Sequence, residues 1–171
     1  SGSALTDADY NVAMGQQSLA QDTQGSKAVA IGSFALGTQN FTSGTDSDNT
    51  AVGYAAGSAI TTGVQNTLIG ALAGDALTDA DRNIAIGKQA LTTDTLGSRS
   101  VAIGYSALET QNFTSATSSY NTGVGYKAGE AITTGTQNTC IGGLAGVSIT
   151  TGTNNVLVGY SAGSSSSVDL T

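Results

Sequence analysis

One short motif recurs nine times along this chain: a β-branched residue, a residue that is small in most copies, a large aliphatic one, then glycine, as in Val101-Ala102-Ile103-Gly104. The nine glycines are Gly15, Gly32, Gly53, Gly70, Gly87, Gly104, Gly125, Gly142 and Gly159, spaced by 17, 21, 17, 17, 17, 21, 17 and 17 residues. A second period lies above the first: residues 4–75 and 76–147 align without a gap and share 49 of 72 positions, and the ninth motif opens a third copy. Self-similarity at a fixed short period marks a repeat architecture. Seventeen residues are too few for two helices and a turn, and Val, Ile and Thr at the centre of each unit favour strands. The expected fold is therefore all-β, a parallel β-solenoid of about nine coils over residues 1–163, with 164–171 as a Ser-rich tail. Each coil buries little alone and relies on its stacked neighbours.

Read by column, the repeat also predicts what faces inward. The residue two before each glycine is small in six units and is Leu68, Cys140 or Leu157 in the others; the residue three after it is Ala in eight units and Ser18 in the ninth. These small residues suit a narrow interior between two short strands flanking the glycine. The β-branched and aliphatic residues then lie on the outside of their own coil. Strands apolar on both faces are covered on both faces, and a long exposed aliphatic stripe exceeds what soluble monomers show. The chain is expected to be an obligate homo-oligomer. A charge at Ile103 should then cost far more than one at Ser106, taken as a surface position. Asn stands four residues before the glycine in seven units. It is expected to take the left-handed corner and to form a ladder from coil to coil.

Composition removes several function classes. The chain has no His, the commonest general base, so a Ser or Cys nucleophile would lack its usual activator. Cys140 lies in the small-residue column and reads as a core filler. A net charge of −7 with five basic residues disfavours nucleic acid. No apolar run approaches the ~20 residues of a membrane span, and no direct membrane insertion is expected. Without a signal peptide, the chain reads as a segment of a longer product. No glycine-rich run is followed by the Lys-Ser/Thr of a phosphate loop. The Thr pairs at 61–62, 133–134 and 150–151 fall on too few coils for an ice-binding lattice.

Two features could still carry chemistry. Asp-x-Asp-x-Asn at 7–11 and 79–83 is similar to the start of a calcium loop, but the glycine and closing Glu are missing. Solvated corners are the plainer reading, and no metal or cofactor is expected. Glycoside cleavage needs only two carboxylates, but Asp46 and Asp48 become Ser118 and Tyr120 in the second copy. No catalytic residue is assigned and no enzymatic activity is expected; a glycan-degrading spike segment using surface carboxylates is the alternative. The 21-residue coils are the informative irregularity, since insertions in solenoids bulge from one face. Their loops supply the candidate receptor contacts: Phe41, Thr42, Asp46 and Asp48, with Phe113, Thr114 and Tyr120. Each Phe either offers an aromatic contact or folds back over its own coil or a neighbouring chain. Tyr54, Tyr105, Tyr126 and Tyr160, next to their glycines, form a second candidate strip.

The unit N-x-(V/T)-A-I-G-x-x-A, held in one register nine times, resembles the head repeat of trimeric autotransporter adhesins (YadA-like) and the repeat arrays of phage tail fibres. The resemblance runs from about residue 11 to 163. It implies a left-handed parallel β-roll, an obligate homotrimer, and an extracellular fibre on a bacterial outer-membrane surface or a virion tail that attaches to a host glycan or protein receptor. It also implies that Val29, Ile31, Val52, Ile69, Ile86, Val101, Ile103, Val124, Ile141 and Val158 pack near the trimer axis. Coils of 17 or 21 residues are longer than the usual bacterial unit, and no coiled-coil neck follows. The bacterial and viral alternatives both stay open.

Overall fold

The computed structural model describes residues 1–164; the tail expected over 164–171 lies almost wholly outside them. Thirteen short strands succeed one another: β1 (Val12–Met14), β2 (Gly25–Ser26), β3 (Val29–Ile31), β4 (Thr45–Asp46), β5 (Thr50–Val52), β6 (Thr67–Ile69), β7 (Ile84–Ile86), β8 (Gly97–Ser98), β9 (Val101–Ile103), β10 (Thr117–Ser118), β11 (Thr122–Val124), β12 (Thr139–Ile141) and β13 (Val156–Val158). No helix occurs among the described residues. Nine of the strands form one parallel sheet in the order β1-β3-β5-β6-β7-β9-β11-β12-β13. The register obeys the repeat: Ile84 pairs with Val101, Ala85 with Ala102, and Ile86 with Ile103. The chain is thus a parallel β-solenoid of nine coils, one per motif.

Each sheet strand lasts three residues because glycine ends it. The marker glycines have φ between +122° and +136°, a region closed to L side chains. A Cβ on Gly32 would also lie 2.3 Å from the carbonyl oxygen of Gly53 in the next coil. Past the glycine the chain forms two turns, not the second strand expected from sequence. Ala35 N–H donates to the Gly32 carbonyl (3.2 Å) and Gly37 N–H to that of Phe34 (3.1 Å), while Leu36 N–H reaches the next coil at Ala56 (3.1 Å). Phe34 and Leu36 both have positive φ, 64° and 47°, so the chain turns sharply and still donates across the stack.

The interior matches the column reading. Ala30, Ala51, Ala85 and Ala102 are fully buried, and so are Ala35, Ala56, Ala73 and Ala90 after the glycines. The exceptions to the small column have a reason visible only in three dimensions. A Cβ on Gly57 or Gly74 would lie 2.6 Å or 2.8 Å from the δ-methyls of Leu68, and one on Gly146 would lie 2.3 Å from Cys140 Sγ. Leu19, Leu36, Leu91 and Leu108, all buried, hold the position four after the marker in coils whose small-column residue is Ala. Where both positions are small, as with Ala51 and Gly57 or Gly123 and Gly129, leucines of neighbouring coils, Leu36 and Leu68 or Leu108, reach into the space. Large and small residues trade places within and between coils so that the interior stays filled.

The Asn ladder forms, but not as the corner expected for it. Left-handed φ falls on the preceding residue, as in Asp48 (49°), Gln65 (61°), Arg82 (58°) and Gln137 (60°). The Asn side chains turn inward. Asn66 Oδ1 accepts from the Asn83 N–H (2.9 Å) and Asn66 Nδ2 donates to the Ala80 carbonyl (2.8 Å). Asn83 repeats this with Ser100 N–H (2.8 Å) and Gly97 O (2.9 Å). A corner residue outside the helical and extended regions costs about 1 kcal/mol; the ladder holds it by pairing amide groups that would otherwise be buried unpaired.

Candidate functional site

The outer face of the nine-stranded sheet carries the expected stripe. Its two columns hold only Val, Ile, Met and Thr, all partly or largely exposed in the single chain. Val29, Ile31, Val52, Val101, Ile103 and Val124 are half-buried, Ile69 and Ile141 are about 40% exposed, and Val158 reaches 65%. Nine rungs at ~4.8 Å give a flat apolar strip about 38 Å long. Ser106, by contrast, is not the surface position expected of it. It is 1% exposed with φ of 53°, and its N–H donates to the Lys88 carbonyl of the preceding coil (3.0 Å).

The longer coils also differ from expectation. Their extra residues do not simply bulge; they add short ladders, Gly25–Ser26 to Thr45–Asp46 and Gly97–Ser98 to Thr117–Ser118. Phe41 and Phe113 are only 6% exposed and so present no ring to a partner. Beneath them lie two acids, Asp22 and Asp94, one in each cassette. Asp22 is fully buried: its Oδ1 accepts from the N–H groups of Gly25 and Phe41 (both 3.0 Å) and its Oδ2 from Gln39 Nε2 (2.6 Å). Gln39 Oε1 in turn accepts from Asn49 Nδ2 (2.9 Å). Asp94, Gln111 and Asn121 repeat the network, with Asp94 Oδ1 3.0 Å from both Gly97 N and Phe113 N. The recurrence of Asp three residues before Gly in both copies was the sequence signal for this buried carboxyl. Ala28 and Ser100 interrupt the Asn ladder at these coils, and the Gln side chains carry hydrogen bonding across the gap.

The other candidate contacts lie around these corners. Thr42 and Thr114 are exposed at the loop tips. Asp46 pairs with Lys27 at 2.6 Å, and Asp48 is exposed beside it. In the second copy Arg99 takes the place of Lys27, bonds the Ser118 hydroxyl and sits 5.8 Å over the Tyr120 ring. The two cassettes thus present different chemistry on one backbone. The tyrosines next to the glycines do not form one strip. Tyr105 and Tyr126 stack at 5.6 Å, while Tyr54, three coils away, meets Phe34 edge-on at 6.0 Å.

Among the described residues no three Cys, Asp or Glu side chains gather as a metal would require. The Asn of each Asp-x-Asp-x-Asn turn points inward, Asn11 onto Ala28 N–H (2.8 Å) and Asn83 onto Ser100 N–H. Asp81 Oδ1 accepts from Val64 N–H (2.9 Å). Burial pushes the Cys140 thiol up to about 11, so it is held as the unreactive thiol. Asp75 is raised above its ordinary value, chiefly by desolvation and against a hydrogen bond from Thr92. No helix of the described residues is long and apolar enough to cross a membrane. No protein-family model, curated protein or solved structure matches the chain.

Proposed function

We propose that this chain is a structural and attachment module of a surface fibre, assembled as a homotrimer whose sheet faces meet around a common axis. The observation that carries the reading is the uncharged strip of Val and Ile on the outer sheet face, with Ile31, Val52, Ile86, Ile103 and Val124 at its centre. A stripe of this length invites a partner. A copy of the same chain is the partner with a matching stripe and matching coil spacing, and closed symmetry satisfies every copy at once. Three-fold closure, a left-handed coil path and display at a cell or virion surface rest on the adhesin and tail-fibre resemblance. The solenoid supplies a stiff rod, and its corners supply side chains that vary without disturbing the stack.

Sedimentation tests the assembly. The 16.8 kDa chain should sediment at roughly three times its mass, without a folded monomer at micromolar concentration. Ile103→Asp should abolish assembly, since it would bring unpaired charges together out of water. The control is Lys88→Asp, on an exposed corner, which should assemble normally. A stable monomer of the unchanged chain, or equal behaviour of the two variants, would defeat the reading.

A further inference from the structure

On coils 1 to 3 a groove of about 690 Å³ runs along the turn side of the solenoid. One wall is made by residues one or two positions after the glycines, Gln17, Phe34 and Tyr54; the other by residues five or six after them, among them Gln21, Thr38 and Ser58. We propose that this groove is a binding site for a neutral oligosaccharide, with the Tyr54 ring as its platform.

Four observations carry this. The volume is that of a small-molecule site, and the lining combines apolar surface with a few polar groups, as such sites do. The Phe34 and Tyr54 rings stand at 84° to each other, making a corner with one ring face and one ring edge, against which the C–H face of a sugar ring can lie. Gln17 and Gln21 are exposed, and their amides both donate and accept, as sugar hydroxyls require. No lining residue is charged, so an ionic ligand would find no counter-ion.

The second cassette provides the contrast within one chain. At the positions of Phe34, Gly37, Ala55 and Ser58 it has Ser106, Glu109, Lys127 and Glu130. Lys127 pairs with Glu130 at 2.7 Å and lies 5.8 Å from the centre of the Tyr126 ring, whose other neighbour is Tyr105. Tyr54 and Tyr126 are about equally exposed, 57% and 53%, but an ion pair flanks the ring in the second cassette, whereas only uncharged residues flank it on coils 1 to 3. The groove spans two inter-coil spacings, about 10 Å, which suits a di- or trisaccharide and not a folded partner.

As a receptor site the groove rests on the attachment reading; as a sugar site in solution it can be tested alone. The chain has no Trp, so tyrosine fluorescence reports directly. The intact protein would be titrated with maltotriose, cellotriose and tri-N-acetylchitotriose, with sialyllactose as the anionic comparison. At least one neutral sugar should give a saturable change that sialyllactose does not. Tyr54→Ala, and separately Ala55→Lys with Ser58→Glu, should each weaken it about tenfold or more. The double variant copies residues the fold already accepts, since Ala55 and Lys127 have φ of 54° and 55°. Failure of all three sugars, unchanged affinity in the variants, or equal binding of sialyllactose overturns the proposal. If sugar binds but the protein does not adhere to cells, attachment falls and the groove stands. If cells are bound equally by the double variant, the groove falls and attachment stands.

Discussion

At the residue scale, hydrogen-bond satisfaction decides more than hydrophobicity does. Asn66 is fully buried and serves two backbone groups, so Asn66→Ala would leave the Asn83 N–H and the Ala80 carbonyl unpaired. The expected loss is about 2 kcal/mol or more, read by chemical denaturation. Gln65→Ala, one residue away on the exposed corner, should stay within about 0.5 kcal/mol; equal losses would mean that the ladder is not what holds the coil. Asp75 gives the pH dependence. Its folded value is raised above the 3.8 of the ordinary group, so the folded chain holds that proton more tightly than the unfolded one. Its contribution to stability is full below pH 3.8 and is lost as pH rises through the raised value. Asp75→Asn keeps an acceptor for Thr92 and should raise the melting temperature at pH 7 while changing little at pH 3. A lower melting temperature at pH 7 would contradict the desolvation argument.

At the scale of the element, the 21-residue coil is a structural unit first and a loop second. Its Phe closes over the Asp22–Gln39 network, and a Cβ on Gly25 would meet the Phe41 ring at 2.7 Å. Phe41→Ala should therefore cost about 3–5 kcal/mol, visible as a large drop in denaturation midpoint. The tip behaves differently: nothing lies within 4 Å of a Cβ on Gly44, and Ala116 occupies its place in the second cassette. Gly44→Ala should be neutral within about 0.5 kcal/mol. If Phe41→Ala proves as mild as Gly44→Ala, the ring is not part of the scaffold and returns as a contact residue.

For the whole molecule, the interchangeable unit is the four-coil cassette and not the single coil. Stability in a solenoid is close to a sum of coil and interface terms, so losing one coil of nine should be tolerated if the layers still fit. They do not fit everywhere. Deleting 71–87 removes one period but replaces Gly74 with Leu91 beside Leu68. Two leucines would then compete for space that Leu68 shares with Gly57 and Gly74. Overpacking of this kind costs about 1–3 kcal/mol. Adding Leu91→Gly to the deletion should restore much of the lost melting temperature, since that position has φ of 55° and glycine accepts it readily. Equal melting of the deletion with and without Leu91→Gly would show that the layers do not constrain one another.

The sequence by itself determined the number of coils, their register and which side of each strand faces inward. A fixed period leaves stacked coils one way to align, and a column of small residues fits only a narrow interior. The tertiary structure decided what the columns could not express. Left-handed φ fell on Gln65, Arg82 and Gln137 and not on the Asn beside them, because ~1 kcal/mol of backbone strain is small next to the coil-to-coil hydrogen bonds that the Asn makes when turned inward. Asp22 and Asp94 lie buried and the two Phe rings close over them, because a short ladder folds the inserted residues back onto the preceding coil. The groove beside Phe34 and Tyr54 was hidden in sequence for a simpler reason: its lining residues are 17 to 20 positions apart, and only stacking makes them neighbours.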